Sequence, residues 1–280
     1  MLWFKNRIEW SDYKGENAMN FNRRLMLAVA AVALCGFAAQ AKADVRFGVA
    51  AEPYPPFTSK DASGKWVGWE VDMMDAVCAQ MKEKCELVEV AWDGIIPALT
   101  AKQIDVIWSS MSITAERKKT IDFTTFYYNA ASAIIGAKTG DTDITPEHLK
   151  GKTIGVQVAT THQRYAEKYF SAASTVKSYQ TQDEANNDLA AGRLDYVQAD
   201  ASALEDFLNT DQGSACCEMK GLAPGDVEIL GEGVGGGLRK EDTELKAKLD
   251  AAITELAKSG EILKITDKYE KLKGKLIIPK

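Results

Sequence analysis

Short β-rich runs alternate with helical patterns along this chain, and midway the alternation breaks at a polar stretch and begins again. That alternation marks α/β architecture. Phe47 to Ala50 reads as a strand, Gly68 to Lys84 as a helix with Val71, Met74, Val77, Cys78 and Met81 along one face, and Leu87 to Val90 as the next strand. Ile95 to Ala101 reads as a short helix and Asp105 to Trp108 as a third strand. After Ala133 to Ala137 and a polar linker containing Pro146, a second series follows. It has strands at Thr153 to Val156, Thr175 to Tyr179 and Tyr196 to Ala199, with helices at His162 to Phe170 and Asp183 to Ala191. Two such units in tandem imply a cleft between them. A glycine-rich strand from Gly231 to Leu238 precedes helices at Glu244 to Ser259 and Glu261 to Leu272, and is placed to carry the chain back to the first unit.

The first 43 residues stand apart from this pattern. Arg23 and Arg24 precede an apolar run from Leu25 to Ala39, and Ala41-Lys42-Ala43 puts small residues at the two positions a signal peptidase reads. The expected mature chain begins at Asp44, and Met19 offers a second start. The apolar run is short for a membrane span. A lipoprotein at Cys35 would need a small residue where bulky Leu34 stands, and the Arg23-Arg24 pair also admits twin-arginine export.

The whole chain carries 34 cations and 40 anions; residues 1–43 hold six and three of these, so the remainder has 28 against 37, a formal charge of −9. A surplus of that sign argues against nucleic acid or an anionic membrane surface as partner. Cys78 and Cys85 flank a short amphipathic stretch in an exported chain, so a disulfide from a helix end to the next strand is expected. Cys216 and Cys217 are adjacent, which permits a vicinal disulfide or two separate thiols. Only two histidines, His148 and His162, are present, too few for a metal site among these cysteines, and no cofactor is expected. Gly231-Glu232-Gly233-Val234-Gly235-Gly236 matches a dinucleotide fingerprint in form. It lacks the helix that should follow, so it reads as a connection whose glycines permit unusual dihedrals and hinge bending.

Between Ile104 and Tyr128 an apolar run stops at Ser109, Ser110, Ser112 and Thr114, and a short polar segment then supplies Arg117. A strand end opening into a helix start leaves backbone N–H groups unpaired, and a guanidinium adds a planar fork of donors, a combination suited to a carboxylate. A polar loop capped by Thr114, with Arg117 on a solvated face, is the plainer alternative.

Several stretches together resemble the periplasmic polar amino-acid-binding proteins of ABC importers across Asp44 to Lys280. They are Tyr54-Pro55-Pro56-Phe57, Gly64 to Asp72, Gly94 to Leu99, Ser109 to Arg117, Leu149 to Val156, Ala159 to Gln163, Gly192 to Asp195 with Asp200, and Gly237 to Asp242. The likeness is greatest to the lysine/arginine/ornithine, histidine, arginine and opine binders, which share the Cys78 to Cys85 spacing. It implies a two-lobe, type II periplasmic-binding-protein-like α/β fold, each lobe a mixed sheet flanked by helices, with two hinge crossover strands. Lobe 1 would span 44–131 plus 233–280 and lobe 2 132–232.

The resemblance also implies a site. Arg117 would grip a ligand α-carboxylate, helped by Ser110 and Thr161. Asp200, Ser112 and the Ser110 carbonyl would take the α-ammonium, with Ser109, Ala159, Thr160 and His162 alongside. A zwitterion buried between lobes needs both charges paired. Asp200 also reads as a helix N-cap. Tyr54 and Trp92, with Trp69 nearby, would flank the ligand side chain, since aromatic faces accept an aliphatic stem and favour a cationic head. Basic-residue binders carry an acid three positions before the tyrosine; here Ala51 stands there, with Glu52 one place later, so either Glu52 takes over the distal charge or the ligand is not a simple basic amino acid. The implied function is amino-acid capture in the periplasm and delivery to ABC permease membrane subunits by a monomer. The alternative is a cyclohexadienyl-dehydratase-like enzyme on the same scaffold, recruiting Glu52 or Glu70 as general acid. Hydrolase motifs are absent from the sequence.

Overall fold

A computed structural model describes residues 44–279; the expected signal peptide and its cleavage point lie outside them. The first series comprises β1 (Val45–Ala50), a small hairpin of β2 (Ser59–Lys60) and β3 (Trp66–Val67), α1 (Trp69–Met81), β4 (Cys85–Val90), α2 (Ile95–Thr100), β5 (Val106–Ile107), α3 (Ala115–Lys118) and β6 (Asp122–Phe123). The second runs β7 (Ser132–Ala137), β8 (Thr153–Gln157), α4 (Thr161–Tyr169), β9 (Thr175–Tyr179), α5 (Gln182–Ala190), β10 (Tyr196–Asp200), α6 (Ala201–Leu208), α7 (Asp211–Cys216) and β11 (Cys217–Leu222). After α8 (Val227–Leu230) come β12 (Gly237–Leu238), α9 (Thr243–Lys258) and α10 (Glu261–Asp267).

These strands form two five-stranded mixed sheets, ordered β4-β1-β5-β12-β6 and β11-β7-β10-β8-β9. In the first, β1 lies parallel to β4 and β5, while β12 joins antiparallel between β5 and β6. In the second, β8, β9 and β10 are parallel and β7 runs against β10 and β11. Each sheet has its own apolar core. Phe47, Trp69, Met73, Trp108 and Tyr127 pack with Leu249 and Ile253 of α9 on the first; Ile135, Val197, Leu189 and Leu204 form part of the second. Residues 124–131 and 223–236 connect the sheets and touch where the Val234 N–H donates to the Tyr128 carbonyl at 2.8 Å.

Local chemistry explains the element ends. The stretch before α1 closes on Gly68 at φ 130°, where a Cβ would sit 2.2 Å from the Phe57 carbonyl oxygen, so only glycine fits. Thr181 starts α5 with a reciprocal capping box to Glu184. Cys78 and Cys85 are joined, tying α1 to the first residue of β4, and Cys216 is joined to Cys217. The continuous strand expected from Gly231 to Leu238 is instead irregular until β12. Gly231 and Gly233 adopt φ 93° and 139°, which no pleated strand allows, and Val234 makes only isolated bridges to Ser112 and Tyr128.

Candidate binding site

The loop after β5 is held from behind by a buried acid. Glu70, in the first turn of α1, accepts the Ser110 N–H at 2.8 Å, the Ser110 hydroxyl at 2.9 Å and the Tyr127 hydroxyl at 2.5 Å. Burial pushes its carboxyl up from the usual value, against the pull of those donors. Ser110 sits at φ 51°, a conformation costly for a serine; Glu70 holds it there. The Ser109 hydroxyl accepts the Ala50 N–H at 3.0 Å, which ties this loop to the end of β1. Glu70 is thus occupied by three donors and lies outside the cleft cavity, so the general-acid role considered for it has no access to a ligand.

Thr114 caps the four-residue α3 by accepting the Arg117 N–H. That cap aims the guanidinium at the cleft instead of at solvent. Its Nη1 donates to the Ser112 carbonyl at 2.9 Å, and its Nη2 reaches the Ala159 carbonyl of the second-sheet side at 3.2 Å. The guanidinium carbon lies 5.6 Å from the Trp92 ring centre. Arg117 has no carboxylate partner among the described residues. Burial, and secondarily Arg164, lower its pKa to about 10, so it remains a cation at neutral pH.

Across the cleft, β10 ends in Asp200. It stands at the N-cap of α6 but makes no side-chain cap; its carboxylate turns into the cleft. Oδ2 accepts the Tyr54 hydroxyl at 2.9 Å, and Oδ1 lies 3.4 Å from His162 Nε2. Burial, then the Asp200 charge, push the Tyr54 phenol well above its ordinary range, so it stays a donor. Thr160 caps α4 by accepting the Gln163 N–H at 3.0 Å, while its own hydroxyl donates to the Gln157 carbonyl. The first turn of α4, with Thr161 and His162, therefore opens towards the cleft with N–H groups that a helix cannot pair internally. Trp92 Nε1 donates across the cleft to the Val158 carbonyl at 3.1 Å.

Together these side chains line a cavity open to solvent: Glu52, Tyr54, Trp92, Ser109, Ser110, Ser112, Arg117, Thr160, Thr161, His162 and Asp200 all face it. Besides Glu70, two residues named from the sequence do not. Trp69 is fully buried in the first core, its Nε1 bonded to Thr266 Oγ1; the helical stripe of α1 turns it inward. Ala159, at φ 59°, contributes its carbonyl to Arg117 and is not a lining residue. Gln157 and Gln182 line the cavity and were not anticipated. Their signal was positional: one ends β8 and the other opens the helix after β9, the carboxyl ends of parallel strands where α/β sheets place ligands. Glu52 Oε2 is buried with no hydrogen-bond partner.

The model of the bacterial extracellular solute-binding proteins, family 3, matches residues 45–271. The chain belongs to that family. The L-arginine-binding protein of Pseudomonas aeruginosa is 43% identical over 87% of this chain and 93% of its own length. The lysine/arginine/ornithine-binding periplasmic protein of Escherichia coli is 41% identical, covering 77% and 84%. Among solved structures, an ancestral arginine-binding protein bound to arginine superposes with a TM-score of 0.72 at 34% identity, covering 81% of this chain and 98% of that one. This family 3 protein therefore has the two-lobe binding-protein fold and captures an amino acid for an ABC transporter; its role is binding, not catalysis.

Proposed function

We propose that the cleft takes a cationic amino acid, with arginine the leading candidate. Arg117, with Ser110 and the Thr161 end of α4, would receive the α-carboxylate; Asp200, held by Tyr54, with Ser112 and the Ser110 carbonyl, would receive the α-ammonium. The side chain would run between Tyr54 and Trp92 towards Glu52, Gln157 and Gln182. The observation that carries this reading is the buried, unpartnered Glu52 oxygen in the cavity wall. A desolvated carboxylate there favours a cation and disfavours a neutral or anionic side chain. Gln157 and Gln182 add amide oxygens that suit a group with several donors, such as guanidinium. Relatives that bind arginine point the same way.

The same proposal covers the setting: cleavage after Ala43, a monomer in the periplasm, lobes of residues 44–131 plus 233–280 and 132–232, and closure recognised by permease subunits. A thermal-shift panel tests the ligand class. Arginine, lysine, ornithine or an opine should raise Tm more than leucine or glutamate; a response to glutamate alone would overturn it. Mass spectrometry of whatever co-purifies would name the ligand directly.

A further inference from the structure

We propose that His162 is a positioning residue for the amine end of the cleft, and that ligand binding and protonation of its imidazole oppose each other. The inference rests on the reading of Asp200 as the ammonium's partner.

The proposed tautomer is the one in which Ser132 donates to the ring. Gln198 Nε2 donates to Ser132 Oγ at 3.1 Å. The hydroxyl's own proton is then directed at His162 Nδ1, 3.0 Å away. With Nδ1 accepting that proton, the neutral ring carries its own on Nε2, the atom within 3.4 Å of Asp200 Oδ1. With Tyr54 donating to Oδ2, the carboxylate is hydrogen-bonded at one oxygen, has the His162 ring near the other, and faces the cavity.

A second proton can enter only at Nδ1. Ser132 must then turn to accept, and its hydroxyl proton needs a new acceptor. Gln198 Oε1 is buried and unpartnered; half a turn of the amide brings it to where Nε2 stood, and it accepts that proton. One set of atoms thus accommodates both charge states. In the cationic state His162 itself neutralises Asp200, and a ligand ammonium would place a second cation against one carboxylate. Arg117, also in that cavity, adds to the repulsion, while Glu52 lies in the same wall. Arg164 follows on α4, and Glu70 stands behind Ser110. Asp226 and Glu232 line the adjoining hinge-side cavity but are held by Lys168 and Lys118. Among the described residues Asp200 is the one carboxylate in ion-pair contact with the ring.

Proton NMR of the unmodified protein tests this, because its two imidazoles, His148 and His162, are easily told apart with a His148 variant. Both rings are titrated from about pH 5 to 8, with and without saturating L-arginine. Arginine should move the His162 titration to lower pH and leave exposed His148, paired with Asp143, in place. By linkage, affinity for arginine should fall by up to about tenfold per pH unit on the acid side of the free protein's titration. Calorimetry in two buffers of different ionisation enthalpy should record about one proton released per ligand there. An unmoved His162 titration, or an acid-side loss that survives in His162→Gln, overturns the coupling. Asp200→Asn separates the two ideas: normal arginine affinity in that variant defeats the amine-end reading, whereas lost affinity there, together with a His162 titration that arginine leaves unmoved in the unmodified protein, defeats the coupling alone.

Discussion

Replacing Glu52 with glutamine keeps shape and volume but removes one charge from the cavity wall. In the unliganded protein the Glu52 Oε2 atom is buried without a partner, so it carries a desolvation cost that only a ligand cation would offset. A guanidinium at about 4 Å would interact with it by about 4 kcal/mol at an effective dielectric near 20. Desolvation of the incoming cation takes back part of that, leaving about 2 to 3 kcal/mol. Glu52→Gln should therefore weaken arginine binding roughly 30- to 150-fold. Glutamine, whose side chain is neutral, should change by less than about threefold. The unliganded variant should also melt slightly higher, by about 0.5 to 1 kcal/mol of stability, because the oxygen buried without a partner is no longer charged. Calorimetry with both ligands and melting curves without either measure all three quantities. Equal losses for arginine and glutamine, or an undiminished arginine affinity, would refute the placement of the distal cation.

Arg117→Met should cost about 3 to 5 kcal/mol in binding of any α-amino acid, since the ligand carboxylate would be buried unpaired; near-normal calorimetric affinity would discard the clamp. Tyr54→Phe removes the donor to Asp200 Oδ2 and should cost about 1 kcal/mol for every amino acid tested, a uniform loss that titration against arginine and glutamine would reveal. Changing Cys78 and Cys85 together to serine opens a bridge seven residues long and should lower stability by about 2.5 kcal/mol, read by urea unfolding, with ligand selectivity unchanged.

Regular elements were legible where side-chain periodicity is strong. Thr175–Tyr179 was read at its observed bounds, and α9 within a residue at each end, because alternation and a 3.6-residue stripe report burial directly. Short strands such as β6, and β11 with its irregular register between Met219 and Gly221, were missed, since a strand that borrows most of its neighbours from distant segments leaves little local pattern. The Gly231 to Leu238 reading failed for a different reason: glycine has no side chain to advertise a backbone that leaves the pleat. At the site, Arg117, Asp200 and Tyr54 were legible because motif and charge coincide. Gln157 and Gln182 were not, because an amide at the surface and one facing a cleft look alike until the sheet ends are located. Trp69 differs the other way: the resemblance puts it near the ligand side chain, whereas its place in α1 turns it into the first core.

The late arrival of β12 has a consequence for how the molecule is made. This two-residue strand lies between β5 and β6, so a ribosome or a translocation channel delivering the chain amino end first has released more than two hundred residues before the first sheet can close. The other sheet, built wholly from residues 132–222, is under no such delay. Long-range closure of that kind folds slowly, so the sheet that begins first in the sequence is the one expected to finish last.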